Sequence, residues 1–185
     1  AQPLLRLGPF IAYVVVYEAA AIWPMPADAP ITWVVAVLGT DLAYYWWHRA
    51  NHRTGLLWAI HVVHHSSSEL NLTTNLRFSW FSGLSAWLFH LPLAIIGLPP
   101  AVALAAYLFH NDVWGFFSHT RLVRRLGWLE YLLVTPSHHR VHHGGDDKYL
   151  DRVFEENMVT NFESSFNTAL IDTLVYGKDG TRLLS

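Results

Sequence analysis

The sequence predicts an all-α fold: an integral-membrane bundle of about four transmembrane helices with a histidine-rich cap on its cytoplasmic side. Three observations predict it. Of the 185 residues, 52% are hydrophobic and only 14% are charged, against about 25% charged in an ordinary soluble domain. The apolar residues are gathered into long runs that almost exclude charge. There are also twelve His against only two Lys, and most of the His fall at helical spacing. A formal net charge of −2 and the absence of Cys exclude a nucleic-acid binder, a disulfide scaffold and a disordered chain. The chain reads as a single domain over residues 1–185, without internal repeats.

The first run, 7–23, contains one charge, Glu18, and the second, 31–47, contains one, Asp41. Between them Pro24-Met25-Pro26-Ala27-Asp28-Ala29-Pro30 reads as a stiff loop, because proline fixes its own backbone and cannot continue a helix. From Phe78 to Asn111 no Asp, Glu, Lys or Arg occurs. That run is broken by Gly97-Leu98-Pro99-Pro100 and divides into spans at 78–96 and 100–118. A helix needs about 20 apolar residues to cross a bilayer, so each span is short to adequate. With four spans, all twelve Lys and Arg fall on one side, in the N-terminus, 48–77 and 119–185. The positive-inside rule makes that side cytoplasmic. Trp23, the Tyr44-Tyr45-Trp46-Trp47 cluster and Trp114 suit interfacial belts. The alternative is a soluble protein with buried core helices.

Histidine is the commonest metal ligand among side chains, and the predicted cytoplasmic segments carry it in pattern. His48 and His52 stand four residues apart and share a helix face. His61, His64 and His65 form His-Val-Val-His-His, and His139, His142 and His143 repeat the spacing in His-Arg-Val-His-His. His119 closes the fourth span. So many imidazoles exceed the four to six ligands of one first-row ion, so the inventory suits two ions with open positions. Asp41 and Asp112 each precede a histidine of the set by seven residues and could orient imidazoles through their second nitrogen. Two helical turns cover about 11 Å, so a contact across to a neighbouring helix is expected rather than one with the carboxylate's own His. His138 reads as a supporting or solvated residue, His110 as lying on the helix face opposite His119, and His90 as a bundle-interior residue. His-Glu-x-x-His, the G-x-S-x-G elbow, the P-loop and G-x-G-x-x-G are all missing.

The run from Asp41 through His48-Arg-Ala-Asn-His52, the run from Leu57 through His61-Val-Val-His-His65 to Arg77, His119-Thr120, Leu126-Gly-Trp-Leu-Glu130 and Thr135-Pro-Ser-His-His-Arg-Val-His-His-Gly144 together resemble the fatty acid hydroxylase/sterol desaturase superfamily. The likeness covers residues from about 35 to 151. It implies a membrane-bound non-haem di-iron oxygenase that hydroxylates or desaturates a lipid of the sterol, fatty acyl or alkylglycerol class. Such an enzyme uses O2 and electrons from a donor protein or a reduced pterin. The implied ligands of two Fe ions are His48, His52, His61, His64, His65, His119, His139, His142 and His143, with Asp41, Asp112, Asn71 and His138 as supports. Zinc could occupy the same imidazoles in a crystal. Where some members carry a further His, this chain has Gly115. The segment 152–185 departs from the family ending and is expected to pack on the cap as a short amphipathic helix ended by Gly177.

Two other readings share the inventory. One is a metalloenzyme without redox chemistry, such as a zinc hydrolase, which the shortage of Glu near the boxes disfavours because hydrolysis needs a general base. The other is a metal-binding membrane relative without catalysis.

Overall fold

A computed structural model describes residues 2–67 and 69–143, and the side chains of 7–67 and 69–143. The expected helix in 152–185 lies outside the described residues. Within them the chain is helical and contains no strand. Helix α1 runs Gln2–Ala20, α2 Pro30–Arg53, α3 Gly55–His65, α4 Ser82–Ile96, α5 Pro100–Leu108, α6 Gly115–Ser118 and α7 Pro136–His142. A π-helical turn, Phe109–Trp114, joins α5 to α6, and 3₁₀ turns occupy Thr74–Leu76 and Gly127–Tyr131. All four apolar runs read from the sequence are therefore helical. No helix among the described residues is long and apolar enough to cross a membrane. The reason lies in the composition: α2 is 24 residues long but holds Asp41, His48, Arg49, His52 and Arg53, while the apolar α4 has only 15 residues.

Proline and glycine set the boundaries. Pro30 and Pro100 each stand in the first turn of a helix, where the missing N–H costs nothing. Gly97 ends α4 in the left-handed region at φ 105°, and a Cβ there would overlap the Trp23 carbonyl. Glycine thus lets the two loops cross: Ile22 N–H donates to the Ile95 carbonyl and Met25 N–H to that of Gly97, at 2.8 and 2.9 Å.

Helices α1, α2, α4 and α5 pack around one core. Alanines at 36, 43, 86, 94, 103 and 106 let the backbones approach, and Tyr13, Trp47, Trp87 and Tyr107 fill the remaining volume. The polar ends of the large rings find partners: the Tyr13 hydroxyl donates to the Leu98 carbonyl at 3.0 Å, and Trp47 Nε1–H to Ser85 Oγ at 3.0 Å. Removing a ring of this kind would cost about 3–5 kcal/mol. This bundle is the platform beneath the histidines.

Candidate metal centre

The chain turns sharply at Thr54, which is extended (φ −119°, ψ 130°). Helix α3 therefore folds back on the end of α2, and the first two histidine pairs meet: His48 Nε2 lies 3.0 Å from His61 Nε2. His52 Nε2 stands 3.0 Å from His48 Nε2, and His65 Nε2 3.1 Å from His61 Nε2. His142 of α7 completes a group of five, all within 4.8 Å of one another through one ligand atom each. His64, on the next face of α3, joins a second group with His119, His139 and His143 under the same distance. There His119 Nε2 is 3.3 Å from His64 Nε2 and 2.9 Å from His139 Nε2. The nine histidines singled out from the sequence are the nine brought together.

Hydrogen bonding among imidazoles does not account for this arrangement. An imidazole nitrogen has one in-plane hydrogen or one in-plane lone pair, yet His48 Nε2 and His61 Nε2 each meet two other Nε2 atoms. A cation accepts all these lone pairs at once. The spacing fits as well: ligands at right angles on bonds of about 2.1 Å stand about 3.0 Å apart, and tetrahedral ligands about 3.4 Å. Burial, and after it His142, His143, His61 and His52, hold His65 well below the usual imidazole range, so it stays neutral and ready to ligate.

His119 is oriented by its own helix. His119 Nδ1 lies 2.6 Å from the Gly115 carbonyl, one turn back. A carbonyl only accepts, so Nδ1 carries the hydrogen and Nε2 turns its lone pair to the group. Gly115 follows the π turn and faces Asn75: a Cβ there would stand 3.3 Å from Asn75 Oδ1. Helix α7 is held from two sides. Glu130 Oε1 accepts from the Ser137 hydroxyl at 2.7 Å, Leu126 N–H at 3.0 Å and the Thr135 hydroxyl at 3.3 Å. Arg140, between two ligands, donates to the carbonyls of Thr120, Val123 and Arg124 at 3.3, 2.8 and 2.9 Å. That ties α7 to the loop following His119.

The remaining expectations fall around this frame. Asp41 is buried, and its Oδ1 lies 3.6 Å from His110 Nδ1, while Tyr44 packs between His110 and His48. His110 had been expected on the face away from His119, yet both line one small cavity of about 20 Å³. The π turn explains it: an extra residue per turn shifts the phase that a straight α-helix would keep. Asp112 lines a larger cleft beside Phe116. Asn71 Oδ1 accepts from the N–H and hydroxyl of Thr73, at 2.9 and 2.6 Å, and shapes the loop after α3. His138 Nδ1 accepts from Thr135 N–H at 3.4 Å at the start of α7. His90 is buried under Trp87 and Tyr107, with Nδ1–H donating to the Ala86 carbonyl at 2.8 Å. Residues not foreseen are Phe78, stacked on His64 at 4.6 Å and 10°, and Asn75. The i−4 spacing of Gly115 and His119 was the only signal that could have exposed the carbonyl brace.

The fold and site thus define a helical protein with two polyhistidine groups, each able to hold a metal ion. A sequence model of the fatty acid hydroxylase family matches residues 33–175, and the chain belongs to that family. The match runs past residue 151, where the likeness read from the sequence ends. Alkylglycerol monooxygenase of Danio rerio is 39% identical over 178 residues, covering 95% of this chain and 39% of the relative. The Homo sapiens alkylglycerol monooxygenase is 39% identical over 168 residues, 90% of this chain and 37% of the relative. An ornithine lipid hydroxylase of Rhizobium tropici is 31% identical over 127 residues, 65% of this chain and 35% of the relative. The chain therefore spans little more than a third of the length of these curated relatives. No solved structure matches significantly.

Proposed function

We propose that residues 1–185 form one oxygenase domain of a membrane-bound non-haem di-iron enzyme that oxidises a lipid C–H bond, the alkylglycerol class being the substrate favoured by its relatives. The observation that carries this reading is the division of nine histidines into groups of five and four that share helix α3 and helix α7. His48, His52, His61, His65 and His142 would hold one ion, and His64, His119, His139 and His143 the other. The imidazole donors suit iron, and the monooxygenases among the relatives favour a redox-active ion over zinc. Neither group, among the described residues, includes a carboxylate, which leaves a hydrolase without a base beside its metal.

Bound iron would supply the activation of O2 and the homolysis of an unactivated C–H bond, chemistry that no side chain provides. In the overall reaction one oxygen atom enters the C–H bond and the other leaves as water. Two electrons from a donor protein or a reduced pterin, with two protons, complete the balance. The chain's own residues orient the imidazoles: Gly115 through its carbonyl, Glu130 and Arg140 through α7, and Asp41 through the His110–Tyr44 contact to His48. Asn71 and His138 support the loop and the helix start that carry ligands.

The membrane setting belongs to the same proposal. Large apolar side chains stand exposed on the bundle, among them Ile11, Val15, Leu38, Leu88 and Phe109. An exposed apolar surface of this kind needs a lipid or protein cover. In the four-span reading of the sequence all Lys and Arg fall on one side, and the positive-inside rule then turns the histidine cap to the cytoplasm. The test is oxygen consumption by the full chain, reconstituted with iron, a reduced pterin and a 1-O-alkylglycerol. Consumption coupled to substrate oxidation is expected. Metal-dependent hydrolysis of the lipid without oxygen uptake would replace this reading with the hydrolase.

A further inference from the structure

The segment that follows the fourth apolar run, residues 121–132, turns large apolar side chains outward. Leu122 is 92% exposed, Trp128 69% and Tyr131 79%. The arginines at 121, 124 and 125 stand exposed beside them. Between residues 119 and 143 the sequence has one acid, Glu130, and its carboxylate is engaged by the Ser137 and Thr135 hydroxyls and the Leu126 N–H. Arg121 is paired with Glu69 at 2.6 Å, so the basic character of the outer face falls to Arg124 and Arg125. The backbone beneath these side chains is pinned. Arg140 donates to the carbonyls of Thr120, Val123 and Arg124, Glu130 holds the start of α7, and Val134 is buried. Folding the rings back onto the bundle would break these bonds, so their cover has to come from outside.

The segment also stands at the edge of the exposed apolar belt. It begins three residues after Ser118, where α6 ends. Trp80 and Phe81, exposed as well, precede α4 at the same end of the bundle, where Trp80 and Phe116 line one cleft. At the opposite end Ile22 and Trp23 are exposed between α1 and α2. Aromatic residues at both ends of an apolar surface match the two boundaries between lipid and water. An anionic lipid surface suits both parts of the 121–132 face: apolar side chains enter the head-group layer, and guanidinium groups meet anionic heads. Continuity with the exposed apolar faces of the helices favours lipid over an acidic partner protein.

We infer that residues 121–132 form an interfacial anchor, with Leu122, Trp128 and Tyr131 seated in the head-group layer of the leaflet beneath the histidine cap and Arg124 and Arg125 on anionic lipid heads. Tied to α7 through Glu130 and Arg140, the anchor sets the height at which the cap rests over the bilayer. This inference rests on the membrane setting proposed above but can fail separately from it.

The chain has no Cys, so a single Leu122→Cys or Tyr131→Cys carries an environment-sensitive fluorophore at one known place. Leu88→Cys, on the exposed face of α4, serves as the reference. The full chain is placed in nanodiscs of phosphatidylcholine, alone or mixed with phosphatidylglycerol, and quenching by spin-labelled lipids is read. At 122 and 131, quenching by a spin label close to the head group is expected, stronger in the anionic discs. Position 88 is expected to be quenched by a spin label deeper in the acyl chain. Arg124→Gln with Arg125→Gln is expected to lower the ratio of docked to undocked segment in anionic discs about fivefold for each arginine. Unchanged quenching at position 88 shows that this variant is folded and inserted. Quenching at 88 with none at 122 or 131 would overturn the anchor, whether an acidic partner protein or the acids between 146 and 163 of this chain cover the face. Equal quenching in both discs, unmoved by the arginine substitutions, would overturn the assignment of the anionic heads. Quenching at 122 and 131 with none at 88 would count against the bundle lying in the bilayer and leave the anchor standing.

Discussion

The ring of His65 lies flat against that of His143, with centroids 4.3 Å apart and planes 14° from parallel, although the two belong to different polyhistidine groups. Each group also draws on both α3 and α7. A change on α3 or α7 therefore reaches both sites. His143→Ala is expected to weaken metal binding at the five-histidine group by about 10–100-fold, as displaced supports of ligands do, besides disabling its own group. Titration with Fe(II) or Co(II), followed by absorption, reads both sites. Unchanged affinity at the five-histidine group would show that the stack couples nothing.

Gly115 sits where a Cβ would press on Asn75 Oδ1 at 3.3 Å. In an open helix Gly→Ala stabilises by about 0.5–1 kcal/mol. Here Gly115→Ala is expected to give none of that gain alone, and to recover it when combined with Asn75→Ala. A double-mutant cycle in denaturant measures the coupling. Simple additivity would place Asn75 away from the constraint.

Arg140 bonds three backbone carbonyls of the loop after His119 and meets no carboxylate in doing so. Since the residue is half-buried, its loss is expected to cost about 1–2 kcal/mol. Arg140→Lys is expected not to restore it, because an ammonium cannot span three acceptors as a planar fork does. Thermal unfolding of the metal-free chain compares the two variants. Full rescue by Lys would reduce the contact to charge alone.

Burial works to raise the Glu130 carboxyl, but the Ser137 hydroxyl, the Leu126 N–H, the nearby His138 and the Thr135 hydroxyl together hold it below its usual 4.5. With the folded value depressed, the carboxylate's stabilisation is present above about pH 4.5 and is lost as pH falls through the folded value. The acid limb of stability is therefore expected to flatten in Glu130→Gln, with wild type losing the difference below that pH. Denaturant midpoints between pH 7 and pH 3 provide the comparison, and parallel curves would remove Glu130 from the account of how α7 is held.

Much of this architecture could be read along the chain. Charge-poor runs located all four bundle helices, and Gly97-Leu98-Pro99-Pro100 marked the break between α4 and α5, because glycine and proline act on the local backbone. The nine histidines were legible for the same reason, as i, i+3 and i+4 spacing is a property of one helix. Their sorting into five and four was not, since His64 and His65 are neighbours in sequence yet serve different groups. That depends on how α3 folds back at Thr54 and where α7 docks. The π turn at Phe109–Trp114 likewise carries no local signature, and it is what brings His110 round to the cavity beside His119. Asp112, two turns from His119 along an ideal helix, stands on the cleft wall after the same shift of phase.

The central claim is a two-metal centre divided between these groups, and counting metal per chain tests it most directly. Full-length protein loaded anaerobically with Fe(II) and freed of excess is predicted to retain two ions per chain. His52→Ala is predicted to lower the count chiefly at one site, and His64→Ala with His142→Ala, which removes a ligand from each group, at both. A single ion per chain in the unmodified protein, or two ions still held by the His64→Ala, His142→Ala variant, would contradict it.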